Sequence, residues 1–129
     1  MNRAEYDAGV AGNQEGGMGH EDGLSRAAFV ILLALADQTR HGLGIIEDVE
    51  DRTGGAVKLG PGTLYGTLQR LADRAMIRET SAAPDPSDDD PRRRYYRILP
   101  HGRRALRAEA ERMRSLVHAA RDKDVLERA

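Results

Sequence analysis

Pro61, Gly62, Thr63, Tyr65, Gly66, Gln69 and Arg70, followed at hairpin distance by Arg92, Arg93 and Arg94, are the side chains of this sequence best suited to chemistry. That chemistry is recognition of a polyanion. At about 100 degrees per residue, Leu64, Leu68 and Leu71 share one helical stripe, and Gly62, Tyr65, Gly66, Gln69 and Arg70 lie around the other side. Each glycine inside a helix costs roughly 1 kcal/mol relative to alanine, so two of them on an outward face call for a compensating purpose. Without side chains the helix backbone can approach a phosphate or a groove wall closely, and the unpaired amides behind Pro61 favour an anion. Thr63 and Tyr65 add hydroxyls suited to positioning a phosphate, and Gln69 can make a paired contact with adenine. Arginine forks at Arg92, Arg93 and Arg94 match phosphate oxygens.

Plainer alternatives stand beside each of these. Gly66 can fit beneath a neighbouring element with Tyr65 packed next to it. The three arginines can form a solvated turn balancing Asp85, Asp88, Asp89 and Asp90 in the same loop. If the loop meets a polyanion, the arginine side faces it and the aspartate side swings outward. Asp85, Ser87 and Asp89 also have the first three spacings of a calcium loop, but Asp90 stands where a glycine is needed and Tyr96 where a bidentate glutamate is needed. No calcium site is expected. His20, His41, His101 and His118 fall in unrelated segments, and none pairs with another at the helical spacing of a metal site. His41 is expected to cap or pack at the start of a helix. No glycine-rich phosphate loop follows a strand, and with no cysteine neither a disulfide nor a thiol nucleophile exists. The expectation is that the chain is not an enzyme and carries neither cofactor nor metal.

With 129 residues there is room for one domain with a modest core, so a second subunit is expected to contribute. No apolar run reaches the length of a membrane span, and the region after Met1 lacks a signal peptide's apolar stretch, which points to the cytoplasm. A net charge of -1 is unusual for a nucleic-acid binder, so any charge facing DNA must be local. Residues 1 to 23 carry one base and five acids, residues 24 to 99 carry eleven of each, and residues 100 to 129 carry eight bases and five acids.

The elements that would position these residues follow from periodicity. Residues 1 to 23, rich in glycine and acids, read as a disordered arm. From Leu24, a helix places Ala27, Ala28, Ile31, Leu32 and Leu35 on one face. A second helix runs through Ile45, Ile46 and Val49, with Glu47, Asp48, Glu50 and Asp51 outside, and stops at Gly54 and Gly55. The third helix has Gly60 at its cap and Pro61 at its first position. Strands are expected from Met76 to about Thr80 and from Arg94 to Leu99, the latter with Tyr96 and Ile98 inward and Tyr95 and Arg97 on the other face. A last helix from Pro100 or His101 carries Leu106, Ala110, Met113, Leu116, Val117 and Ala120 on one side, with nothing left in the chain to cover it.

Three helices, a hairpin and a final helix make the order of a winged helix-turn-helix with a dimerisation helix, and here the chain resembles the PadR family of transcriptional regulators. The resemblance spans about Phe29 to Leu106. It rests on His41-Gly42, on Leu59 to Tyr65 with Leu68 and Leu71, and on Arg93 to Ile98 followed by Pro100 and Gly102. This chain departs from the family with Gly60 for Ser, Gly66 for Pro, Leu99 for Thr, and Leu43 and Gly44 for Tyr and Glu.

The resemblance implies a homodimeric, sequence-specific DNA-binding regulator, a repressor of an inverted-repeat operator in double-stranded DNA, released by a small-molecule effector. The fold expected is mainly α with a two-stranded wing. Residues 24 to 99 would form the DNA-binding domain and residues 100 to 129 the dimerisation helix and tail. Leu24, Ala28, Ile31, Leu106, Met113, Leu116, Val117 and Ala120 are assigned to the dimer interface. The rival reading is a winged helix that binds protein instead of DNA, favoured by the neutral charge balance and the acidic loop.

Overall fold

The computed structural model describes residues 23–81 and 93–127, so the N-terminal acidic segment, the aspartate run and Arg92 fall outside the described residues. Four helices and a small antiparallel sheet make up the rest, in the order α1 (Arg26–Ala34), β1 (Arg40–His41), α2 (Gly42–Arg52), α3 (Pro61–Asp73), β2 (Ile77–Thr80), β3 (Tyr95–Ile98) and α4 (Pro100–Asp122). The mainly helical class read from the sequence holds. Ser25 starts α1 by accepting the Ala28 N–H at 3.1 Å, which satisfies one amide of the first turn. α1 then packs against α2, α3 and α4 within the same chain.

That central position corrects part of the dimer assignment. Ala28, Ile31 and Leu106 are core residues, each less than a tenth exposed in a single chain, which leaves little of them for a second copy. The sequence shows that α1 is apolar nearly all round, but three helices of its own chain supply the cover.

The sheet has three strands, in the order β1-β3-β2, where the sequence suggested two. β1 is two residues long, too short for any alternation to register, and it pairs Arg40 with Tyr96 and His41 with Tyr95. This pairing also corrects the reading of β3. Tyr96 and Ile98 do reach the main core, but Tyr95 on the opposite face is buried too, because the His41 ring meets it edge-on at 5.6 Å between centroids.

Arg40, the partly buried first residue of β1, ties α1 to α2. Its Nε donates to the Ala34 carbonyl at 2.7 Å, and its Nη2 lies 3.4 Å from Asp48. Asp48 was expected on the outer face of α2. Its side chain is only 11% exposed, held between Arg40 and Arg52. A carboxylate buried this far requires such partners, because an unpaired charge taken from water is costly.

α4 is pinned at its start. Leu99 donates its N–H to the Met76 carbonyl at 2.9 Å, and the same carbonyl sits against the α-carbon of Gly102, where any Cβ would collide with it. Leu106 closes the core one turn later. Beyond it α4 runs on with its side chains largely open to solvent.

Candidate nucleic-acid interface

α3 divides as its sequence suggests. Leu64, Leu68 and Leu71 are buried, together with Thr67, which sequence periodicity had not singled out. Pro61, Gly62, Thr63, Tyr65 and Gln69 are exposed, with Gly66 and Arg70 at the margin. Gly60 caps the helix without a side-chain hydrogen bond, so the amides of Gly62 and Thr63 at the first turn lack a side-chain acceptor. A helix end in this state attracts negative charge.

Among the described residues, packing does not require the two glycines of this face. A Cβ at Gly62 would meet nothing within 4 Å, and one at Gly66 would meet only the guanidinium end of Arg70, at 3.6 Å. Gly66 therefore does not sit beneath a neighbouring element. Arg70 curls back over it and donates from Nη2 to Thr67 Oγ1 at 3.3 Å, while its buried Nε has no partner among the described residues. Gln69 is engaged as well, donating to Asp73 at 2.9 Å.

Tyr65 is half exposed, and its hydroxyl end rests against the α-carbon of Gly42, so closely that Gly42 could not carry a Cβ. This arrangement explains His41-Gly42 physically. Gly42 makes room for Tyr65, and His41 caps α2 by accepting the Gly44 N–H at its Nδ1, 3.2 Å away. The sequence marked the dipeptide only as part of a motif, and gave no sign that Gly42 meets Tyr65 of the next helix.

Arg93 and Arg94 stand exposed just before β3, on the same side as Tyr65. His41, Leu43, Tyr65, Arg93, Arg94 and Tyr96 line an open groove of about 440 Å³ between the start of α2, α3 and the strand end. Glu79 lies 3.6 Å from Arg94 and partly offsets its charge. Burial, with Glu79 adding, holds the Tyr96 hydroxyl above the usual tyrosine range, so it keeps its proton. The structure thus brings Tyr65, Arg93 and Arg94 to one groove, with Gly62, Thr63, Gly66, Gln69 and Arg70 on the exposed side and margins of the same helix as Tyr65. Of the apolar residues assigned to a dimer interface, Leu24 and Ala120 are partly covered, and Met113, Leu116 and Val117 are exposed along the outer half of α4. Among the described residues no group of acids and histidines is placed to hold a metal ion, and no helix is long and apolar enough to cross a membrane.

Comparison with known proteins is consistent across sequence and structure. The sequence profile of the transcriptional regulator PadR-like family matches residues 31–108. An uncharacterized 37.1 kDa protein in transposon TN4556 of Streptomyces fradiae is 37% identical over 90 residues, covering 70% of this chain and 24% of that protein. The match therefore spans about a quarter of that relative. Among solved structures, a PadR family transcription regulator from Clostridium difficile aligns with a TM-score of 0.63 at 22% identity, over 74% of this chain and 95% of that one. A transcriptional regulator from Clostridium thermocellum aligns with a TM-score of 0.62 at 24% identity, over 78% and 90%. BpsR of Bordetella bronchiseptica, solved to explain regulation of its DNA binding by 6-hydroxynicotinic acid, aligns at 0.59 and 20% identity, over 79% and 68%. At these identities the structural matches speak to the fold.

Proposed function

The chain belongs to the transcriptional regulator PadR-like family, and from that premise we propose that it regulates transcription by binding double-stranded operator DNA as a homodimer, with residues 24 to 99 as the DNA-binding unit and residues 100 to 129 as the dimerisation helix and tail. The observation that carries this reading is the outward face of α3. Its two glycines leave backbone bare where no described residue needs the space, beside uncapped amides and next to Tyr65, which shares a groove with Arg93 and Arg94. A bare helix face of this kind suits close approach to a DNA groove, and the flanking arginines suit the phosphates on its edge. Gly62, Thr63 and Tyr65 take phosphate, Gln69 and Arg70 reach base edges, and Arg92, Arg93 and Arg94 hold the backbone beyond the groove.

Gln69 turns from Asp73, and Arg70 from Thr67, to reach the DNA. Both interactions are side chain to side chain within about one turn of α3, the first exposed and the second partly buried, and can be exchanged. Occupancy of an inverted repeat by the dimer would block transcription, and a small molecule bound near the dimer interface would release it. The effector part of the proposal takes support from BpsR, whose DNA binding is described as regulated by such a molecule.

The direct test is fluorescence anisotropy of the whole chain with a pool of genomic DNA fragments at 50 and 150 mM salt, followed by sequencing of the retained fraction. Saturable binding that enriches an inverted repeat is expected. Weak binding with no enriched sequence would sink the proposal and favour a winged helix that docks on protein.

A further inference from the structure

The His41 ring is held from two sides. Its Nδ1 accepts the Gly44 N–H at 3.2 Å, and the Tyr95 ring meets it edge-on at 5.6 Å between centroids. A ring nitrogen that accepts a hydrogen bond carries no proton, so in the neutral imidazole the proton sits on Nε2. The two nitrogens face nearly opposite ways around the ring, which aims the Nε2 N–H away from the amide that Nδ1 caps. His41 is partly exposed, and Nε2 has no hydrogen-bond partner among the described residues.

His41 and Arg93 are shared by two adjoining hollows. One is the groove of about 440 Å³ that also holds Tyr65 and Arg94, and the other, of about 170 Å³, lies against Thr39, Arg40 and Gly44. Among the described residues no acidic side chain lines either hollow. The carboxylates nearby are already engaged, Glu79 with Arg94, and Asp37 and Asp48 with Arg40. Arg93 is exposed and has no ion pair among the described residues. A fixed donor without a partner, beside an arginine without one, suits a phosphate oxygen. We propose that His41 is a DNA-contacting residue, donating from Nε2 to a phosphate of a strand that runs from Arg94 past Arg93 to the turn before α2. The contact rests on DNA being the partner, as proposed above, and carries its footprint beyond α3 to β1. A neutral donor to phosphate carries no base preference and neutralises no charge, so it adds affinity for every sequence without steepening the salt dependence. The hydrogen bond to Gly44 that caps α2 thus also fixes which nitrogen is offered to the DNA.

Two variants and one spectrum test this on the whole chain. Asparagine is a good N-cap residue, so His41→Asn keeps an acceptor for the Gly44 N–H and removes the second nitrogen. Its affinity for a mixed-sequence duplex two helical turns long should fall about 3–10-fold at 50 mM salt, the effect of one neutral hydrogen bond, with the wild-type salt slope. Arg93→Ala should flatten that slope instead. If His41→Asn binds as tightly as the wild type, His41 is only a cap and the proposal is overturned. Ring ¹⁵N correlation spectra of the wild-type chain at neutral pH should show His41 protonated on Nε2, with that nitrogen shifting and its proton exchanging more slowly when the duplex is added. Should His41→Asn lose its helical circular dichroism, these spectra decide alone. A proton on Nδ1, or an Nε2 signal indifferent to the duplex, overturns the proposal. A wild-type chain that binds no duplex at 50 mM salt removes the DNA reading and this contact with it, whereas binding with an indifferent His41 removes the contact alone.

Discussion

At the scale of single residues, the DNA surface proposed here contains parts that should fail in different ways. Arg93 and Arg94 are placed to pair with phosphates, so replacing both with alanine should weaken binding to all sequences alike and flatten the salt dependence by about one unit of slope for each phosphate no longer neutralised. Glu79 competes with phosphate for Arg94 at 3.6 Å, so Glu79→Gln should move affinity the other way. Gln69→Ala should cost about 1–3 kcal/mol at one base position and little elsewhere, if its amide pairs with adenine. Gly66→Leu should abolish binding and leave folding intact, because the new side chain meets only the movable end of Arg70 while helix propensity improves. One anisotropy series at two salt concentrations reads all of these. Normal operator binding by Gly66→Leu, with an unchanged salt slope for the arginine pair, would show that DNA lies elsewhere.

Gly42 and Gly66 illustrate what a sequence can and cannot disclose about glycine. Both stand near Tyr65, and either could be small because something packs on it. Only coordinates distinguish Gly42, pressed by the Tyr65 hydroxyl, from Gly66, which faces outward. The partner at a tight crossing is set by how elements meet, and periodicity carries no record of that.

At the scale of elements, three helices end in the same way. After α3 and α4 the chain turns through one residue with positive φ, and after α2 through two, Gly54 and Gly55; in each case an N–H bonds back to a carbonyl of the last turn, from Gly55 to Glu50, Met76 to Leu71 and Val125 to Ala120. This is the Schellman arrangement, which favours glycine at the turning residue. Gly54 occupies that position after α2, but Ala75 holds it after α3 with φ of 59°. A left-handed alanine costs about 1–2 kcal/mol, partly offset in glycine by its greater unfolded freedom. Ala75→Gly should therefore raise stability by about 1 kcal/mol in urea unfolding at constant m. No change, or a loss, would mean that the turn is already relaxed. Gly102→Ala should do the reverse, costing about 1–3 kcal/mol, because the Met76 carbonyl occupies the space its Cβ needs.

These ends explain why most elements were legible. Helix positions with strong chemical markers, Pro61 behind Gly60 or Gly54 before Gly55, coincide with their observed boundaries. β1 left no marker, since two residues cannot show alternation. Tyr95 and Asp48 were misplaced for a related reason. Their burial involves His41 and Arg40, partners contributed by another element, so local pattern put both on the face away from the core.

At the scale of the whole molecule, the outer half of α4 poses the remaining physical problem. Leu116 is 71% exposed, and Met113 and Val117 lie beside it on the same stripe, each more than a third exposed. A helix with such a stripe gains by covering it, and under the proposed function pairing with the same stripe of a second chain would place two α3 helices on one DNA duplex. Half-sites about one turn of DNA apart would then be read together. Linkage of two modest half-site interactions can raise affinity by roughly 10²–10⁴-fold. Leu116→Glu with Val117→Glu tests this without threatening the fold, because neither residue belongs to the core of the single chain. Sedimentation should shift from dimer to monomer and circular dichroism should keep its helical signal. Binding to the full inverted repeat should fall to near that of a half-site. A wild-type chain that sediments as a monomer yet binds the repeat tightly would remove the dimer from this account, and so would a double variant that remains dimeric. The apolar stripe would then need another partner.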